Sequence, residues 1–158
     1  MIMKKTVKMT FAALTAALLA GSAMAAPVCA AAPSPVGYVL GDYDMDGEIT
    51  LYDALDVLRV YNDSVLLRMP NTASEAEMAL GNVMYDPSVD RGEDSLDLGD
   101  ALAIAQHYTA QLLSGGKYVS WEGVFREDLF ETFVLSLDRG AYKLVFDETA
   151  GDYVIAEK

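Results

Sequence analysis

Cysteine and basic residues are scarce in this chain of 158 residues, and both shortages limit what it can do. Cys29 is the only cysteine, so the chain can build neither an internal disulfide framework nor a metal cluster of thiolates. Lysine and arginine together number 11, against 24 aspartates and glutamates, which gives a formal net charge of −13. So acidic a protein is a poor candidate for binding nucleic acid or an anionic membrane. It suits divalent cations or a basic protein surface.

The N-terminal segment lacks acidic residues, and its apolar run at 11–20 is too short to span a bilayer. Three lysines precede that run, and small residues follow it. This order is typical of a secretory signal peptide, with cleavage after Ala25 or, alternatively, after Ala30. We therefore expect a secreted protein in which residues 1–25 are a signal peptide and residues 26–36 are an extended linker.

An acidic stretch at 42–53 has the spacing of the calcium loop of an EF-hand. Carboxylates fall at loop positions 1, 3, 5 and 12, glycine at position 6 permits a sharp turn, and position 8 is aliphatic. Position 12 is usually Glu in such loops and is Asp here. A merely solvated acidic loop predicts no particular order of residues. The pattern predicts a calcium site with three side-chain ligands, one backbone carbonyl and one bidentate carboxylate, supplied by Asp42, Asp44, Asp46, Glu48 and Asp53.

The chain repeats itself after an interval of 47 residues. The tripeptide Asp-Ala-Leu at 53–55 recurs at 100–102. An aliphatic residue stands four positions before each of these aspartates, Ile49 in the first copy and Leu96 in the second. We expect these two residues to pair through short β-bridges, which would place the two loops side by side.

Apolar spacing predicts helices near 53–62 and 100–113, packed antiparallel. A capping-box pattern at 72–77 predicts a short helix that links the two halves. His107 is expected at the surface of the second long helix. The residues expected to be buried between the long helices are Leu55, Leu58, Leu102 and Ala105.

Two calcium loops that each lead into a helix, without an entering helix, resemble the dockerin module of cellulosome proteins. The resemblance covers residues 37–113 and implies a secreted, calcium-dependent interaction module of a polysaccharide-degrading complex. Dockerins bind cohesin modules of a scaffoldin or of the cell surface, through loop positions 10 and 11 and through exposed positions on the following helix. The resemblance implies a partner-binding face formed by Leu51, Tyr52, Arg59, Leu98, Gly99 and Gln106.

The second loop departs from the dockerin pattern, because 19 residues run from Asn82 to Asp100 where twelve are expected. A register that starts at Asp86 and includes Asp90 leaves a shorter insertion. Two hypotheses remain for the second loop. It forms a distorted second calcium site, or it is a degenerate loop held in place by the first site and the core. The candidate ligands are Asn82, Asp86, Asp90 and Asp100.

The C-terminal residues 117–158 contain β-branched and aromatic runs separated by turn residues. Runs at 133–137, 142–146 and 153–155 predict a three-stranded antiparallel meander, packed on the dockerin-like part or tethered to it. The whole chain is therefore expected to be α+β. Aromatic side chains on a sheet also suit weak polysaccharide contact, so a small carbohydrate-binding protein and a plain calcium-binding protein are the alternatives. No cleft-forming scaffold surrounds the acidic residues, so we do not expect an enzyme.

Overall fold

The protein has an α+β architecture, in which two long helices pack against each other and a two-stranded antiparallel sheet follows near the C-terminus. The computed structural model of the protein describes residues 34–84, 96–135 and 137–158. Within these ranges, no helix is long and apolar enough to cross a membrane.

The first three α-helices of the chain begin at residues whose side chains cap them. Helix α1 spans Leu51–Tyr61 and continues into a π-helical turn, and α3 spans Leu98–Leu113. Both start two residues before the predicted position, because Thr50 and Asp97 are the residues that cap them. The predicted linking helix is confirmed as α2, Glu75–Gly81, which begins with a capping box.

The contact between α1 and α3 is lined by small and β-branched side chains rather than by leucines. Ala54 and Val57 of α1 and Ala101 and Ile104 of α3 are buried in the hydrophobic core. Small residues let two helix backbones approach closely, and the β-branched residues then fill the remaining space.

The predicted burial of two leucines is wrong. Leu55 is 50% exposed and Leu102 is 57% exposed, whereas Leu58 and Ala105 are partly buried against the core. Each exposed leucine directly follows a buried alanine, and successive residues on a helix point about 100° apart. The Asp-Ala-Leu repeat therefore buries its alanine and leaves its leucine outside.

Ile49 and Leu96 are both buried in the same core. The β-bridge expected between them is wrong, since neither residue takes part in a bridge in the described part of the chain. Among the described residues, these two positions therefore belong to one hydrophobic core and are not linked by a backbone ladder.

Three short helical segments lie between α3 and the sheet. Helices α4, Trp121–Val124, and α5, Glu127–Leu129, lead into a π-helical turn, Phe130–Val134. The strand predicted at 133–137 is therefore wrong, and the meander has two strands instead of three. Phe130 and Val134 are four positions apart, and both are buried, which a helical turn achieves by placing them on one face.

The sheet contacts the start of the first loop. Strands β1, Tyr142–Asp147, and β2, Asp152–Glu157, pair antiparallel, with Val145 opposite Val154. On its other side β2 meets the segment 37–40, where Val39 forms a bridge with Val154. The Leu40 amide also donates a hydrogen bond of 3.2 Å to the Tyr153 carbonyl. The C-terminal segment is in this way packed on the residues that lead into the first loop.

Trp121 connects α4 to Leu40, at the start of the first loop. Its indole Nε1 donates a 2.6 Å hydrogen bond to the Leu40 carbonyl, and its ring stacks on Phe125 at a centroid distance of 5.7 Å. Only glycine fits beneath the indole, because a β-carbon at Gly41 would lie 2.7 Å from Cζ2 of Trp121. Gly41 also has a φ of +95°, which disfavours any other residue.

His107 is fully buried, so its expected surface position is wrong. Its ring lies 4.5 Å from the Trp121 ring and 5.8 Å from the Tyr118 ring, and its Nδ1 is 3.3 Å from Nε2 of Gln111. Burial lowers the pKa of His107 from 6.5 to about 4. The imidazole is therefore neutral in the folded protein at neutral pH.

Acid should destabilise the native chain through His107. In the unfolded chain this imidazole takes up a proton below pH 6.5, but the buried ring stays neutral down to about pH 4. The contribution of neutral His107 to the free energy of unfolding is therefore complete above pH 6.5 and is lost as the pH falls to 4. The free energy of unfolding should fall by about 3 kcal/mol over this range through this one group. Urea unfolding of the native chain and of His107→Gln across this range measures it, because other groups titrate alike in both. Parallel pH profiles for the two proteins would contradict this prediction.

Candidate metal site and partner surface

Three aspartates of the first loop bring their carboxylates together. One oxygen from each of Asp42, Asp44 and Asp46 lies within 4.8 Å of the others. Asp42 is buried, whereas Asp44 and Asp46 are exposed, so the group is covered by protein at Asp42 and open to solvent at the other two carboxylates. Among the described residues, no other three acidic, histidine or cysteine side chains form such a group.

Hydrogen bonds within the loop hold these carboxylates in place. Asp42 accepts from the backbone amides of Asp46, at 3.1 Å, and Gly47, at 3.0 Å. Asp44 accepts from the same Asp46 amide at 3.1 Å, and Asp46 accepts from the Glu48 amide at 2.9 Å. Gly47, at a φ of +95°, turns the chain sharply, as the sequence predicts for loop position 6.

The cluster is electrostatically unfavourable for the chain alone. The pKa of Asp42 is raised to about 7, first because the group is buried and then because Asp53, Asp46 and Asp44 add negative charge around it. The Gly47 amide opposes this shift without cancelling it. A cation among the three carboxylates would compensate both effects, since it replaces the lost hydration and offsets the repulsion.

The donor set fits a metal ion of the hard type. All three side chains offer carboxylate oxygens, the ligands that Ca²⁺, Mg²⁺ and Mn²⁺ prefer over soft ligands. One face is open, which leaves room for water or further oxygen ligands. The three aspartates can therefore hold a metal ion.

Asp53 lies outside this group of three and braces the loop. Its Oδ1 accepts from the amides of Tyr43, at 2.8 Å, and Asp44, at 3.2 Å, while its Oδ2 accepts from the Thr50 amide at 2.7 Å and from the Thr50 hydroxyl at 3.2 Å. A carboxylate has about four lone-pair sites, and four donors already occupy them. Of the other predicted ligands, Glu48 has an exposed side chain.

Asp100 in the second repeat, like Asp53 in the first, accepts hydrogen bonds from backbone amides that precede its helix. Its Oδ1 accepts from the amides of Val83, at 2.6 Å, and Met84, at 2.7 Å, and its Oδ2 accepts from the Asp97 amide at 2.9 Å. Burial raises the pKa of Asp100 to about 8. Asp100 thus braces a buried backbone and is enclosed by it.

Of the other predicted ligands of the second loop, only Asn82 lies within the described residues. Asp86 and Asp90 lie outside the ranges that the structure describes. Asn82 is buried, and its carbonyl accepts a 3.2 Å hydrogen bond from Nη2 of Arg139.

Arg139 was not singled out from the sequence, where a lone arginine before a glycine carries no signal. Its guanidinium also donates to the carbonyls of Leu137, at 2.9 Å, and Val134, at 3.0 Å. Burial lowers the pKa of Arg139 to about 10, so it keeps its charge at neutral pH. The C-terminal segment therefore places a buried positive charge beside the second half.

The residues of the predicted partner surface are on the outer sides of the two long helices. Leu51, Leu98, Arg59 and Gln106 are exposed, Tyr52 is 74% exposed, and Gly99 is half-buried. Leu55 and Leu102, which are exposed as well, follow Leu51 and Leu98 at a spacing of four. Residues four apart share a helix face, so each helix presents an apolar pair at its N-terminal end.

Removing either bracing carboxylate should destabilise the protein even without metal. Asp53→Ala leaves three backbone amides without an acceptor, and Asp100→Ala leaves three as well, so we expect each to lower the free energy of unfolding by about 2–4 kcal/mol. Asp44→Ala, which removes an exposed carboxylate, is the matched control and should cost less than about 1 kcal/mol. Chemical denaturation in the presence of a chelator measures the three changes. Equal losses for Asp44→Ala and Asp53→Ala would contradict the bracing role.

Comparison with known proteins gives no match: no protein-family model, no curated protein and no solved structure matches this chain.

Proposed function

We propose that this protein is a secreted, calcium-dependent interaction module that resembles a dockerin and docks onto a cohesin. One observation supports this most directly. A loop with three converging carboxylates runs without interruption into a helix whose exposed first turns carry apolar side chains. Ion binding and partner binding would then depend on the same short stretch of chain.

Calcium is the ion that we propose for the three aspartates. The loop follows the EF-hand order, and Ca²⁺ accepts flexible oxygen coordination of six to eight ligands, whereas Mg²⁺ demands a near-ideal octahedron. An exposed loop with its own internal hydrogen bonds suits the more tolerant ion. Asp42, Asp44 and Asp46 would be direct ligands, and Asp53 would hold the backbone that presents them.

The bound ion would fix the orientation of α1. Asp53 belongs to the first turn of α1 and accepts from amides at both ends of the loop, so its carboxylate links the loop to the helix. Without an ion, repulsion among the carboxylates opposes this arrangement. Calcium would therefore order the helix face that a partner contacts, which is how metal binding couples to folding.

The proposed partner surface consists of Leu51, Tyr52, Leu55 and Arg59 on α1 and of Leu98, Leu102 and Gln106 on α3. Exposed leucines and a tyrosine beside an arginine have the composition of interface hot spots. The pair Leu55 and Leu102 extends the surface beyond the positions that the dockerin resemblance implied. Its exposure in both repeats is the physical reason to include it.

In this proposal the protein belongs to an extracellular polysaccharide-degrading complex, and it contributes binding rather than catalysis. A calcium-binding protein with no cohesin partner is the alternative that the experiments below separate from it.

Calcium should bind with a Kd between about 10⁻⁷ and 10⁻³ M, and it should raise helicity and melting temperature. Asp44→Asn and Asp46→Asn each keep the shape of the side chain but remove a charged ligand, so each should weaken binding at least about tenfold. Isothermal titration calorimetry measures these constants.

Glu148→Gln is the control for net charge, because it removes one negative charge from an exposed turn outside the loop. Its calcium affinity should equal that of the native chain. A native chain that binds no calcium, or an Asp44→Asn variant that binds as tightly as the native chain, would refute the proposed metal site.

Replacing Leu51 and Tyr52 together with Asp should weaken a cohesin complex by about 2–4 kcal/mol, because it places charges where apolar contact is proposed. Calcium affinity should stay nearly the same, since neither side chain belongs to the three-aspartate group. A panel of cohesins, tested by pull-down with and without chelator and then by calorimetry, provides the measurement.

The matched control is the double replacement of Leu66 and Leu67 with Asp, which adds the same charges to exposed leucines off the proposed surface. It should leave the complex intact. Unchanged binding after replacement of Leu51 and Tyr52 would reject this surface. If no cohesin binds while calcium does, the plain calcium-binding protein replaces the interaction module.

A further inference from the structure

Strand β1 is an open edge of the sheet. Its partner β2 is covered on both sides, by β1 and by the segment 37–40. On the outer side of β1, the Tyr142 amide donates to the Arg139 carbonyl at 3.1 Å, and no further described residue pairs with that side. The strand therefore offers an unpaired edge, to which another strand can add.

The outward backbone groups of this edge belong to Leu144 and Phe146. Antiparallel pairs alternate between those that exchange hydrogen bonds and those that do not. The Lys158 amide donates to the Ala141 carbonyl, so odd-numbered residues of β1 bond to β2 and even-numbered ones point away from it. The amide and carbonyl groups of Leu144 and Phe146 have no hydrogen-bond partner among the described residues.

A second copy of the same strand fits this edge in one register. When two antiparallel copies meet with Val145 opposite Val145, each Leu144 faces a Phe146 and all four outward groups of each copy are bonded. Shifting the centre to Leu144 uses the Tyr142 amide, which is already bonded to Arg139. Shifting it to Phe146 pairs Leu144 with residue 148, which lies in the turn beyond the strand.

Side chains agree with the same register. It places Lys143 of each copy opposite Asp147 of the other, and oppositely charged cross-strand pairs stabilise a sheet. Lys143 is exposed and forms no ion pair with any described residue. Val145 is 42% exposed and Phe146 is 48% exposed, so the pairing also covers apolar surface. Hydrogen bonds and charges thus select one register, and the burial of apolar surface adds to its stability.

We propose that two copies of this chain associate through β1 and form a continuous four-stranded sheet around a two-fold axis at Val145. The interface is short, so the dimer forms in a concentration-dependent equilibrium and not as an obligate assembly. Net negative charge on both copies opposes association, but salt screens it beyond about 8 Å, while the paired charges are in contact. This edge is separate from the calcium loop and from the proposed partner surface.

Cysteine cross-linking tests the register on the full chain with Cys29 replaced by Ser. Val145→Cys places the new thiols opposite each other on the axis. Lys143→Cys, on the same exposed face of the strand, places them about four residues, or roughly 14 Å, apart. Under mild oxidation we expect disulfide dimers to form at least about tenfold faster with Val145→Cys than with Lys143→Cys. Equal rates for the two variants would overturn the proposal.

Sedimentation equilibrium tests the charge pairing without added cysteine. Lys143→Glu sets like charges opposite each other and should weaken dimerisation at least about tenfold. Lys117→Glu, the same charge change at an exposed lysine outside the sheet, should leave it nearly unchanged. Adding Asp147→Asn to Lys143→Glu removes the repulsion and should restore part of the affinity. A native chain that stays monomeric as its concentration rises, or equal effects of the two lysine changes, would refute the pairing.

Discussion

Each long helix is linked to the loop that precedes it by hydrogen bonds to one buried carboxyl group. Asp53 and Asp100 both occupy the third position of a helix, and both reach backward to accept from amides at the far end of their own half. Burial raises the pKa of both carboxyl groups, and the hydrogen bonds from backbone amides oppose that shift. Each carboxylate therefore demands a specific path of the loop backbone, and the helix packing, the core and the ligand positions all follow from that path.

This constraint explains the Asp at loop position 12. In the sequence the shorter side chain stood out against the usual Glu of an EF-hand. In the structure, its length is suited to a different task, because Asp53 turns onto amides of its own loop and of the residue that caps α1. The same residue type serves the second half, where no comparable group of ligands is formed among the described residues. In the first loop these two tasks fall to different residues, since Asp53 accepts from backbone amides while Asp42, Asp44 and Asp46 bring their carboxylates together.

Sequence patterns correctly predicted the features that depend on neighbouring residues. They gave wrong predictions for features that depend on tertiary contacts. The spacing of Asp42, Asp44 and Asp46 and the capping box at Ser74 are local, and the structure contains both. Which face of each long helix is buried is not decided locally. Leucine is a typical core residue, but the close packing of the two helices buries the alanines instead.

Similar reasons explain the other errors. The run at 133–137 has strand-forming residues, yet the burial of Phe130 with Val134 favours a helical turn. His107 is polar in sequence terms, but its neutral ring packs among aromatic rings. For His107, the ring that packs against it belongs to Trp121 of another helix, which the periodicity of α3 does not reveal.

The buried guanidinium of Arg139 changes how the two halves relate to their surroundings. The first half gathers three carboxylates that can hold a cation, and such an ion would come from the medium. The second half receives its positive charge from the chain itself, through bonds to Asn82, Val134 and Leu137. A tethered charge cannot be diluted or chelated. Under the proposed function, the first half would respond to the ionic composition of its environment, whereas the charge that Arg139 places beside Asn82 would be the same in every medium.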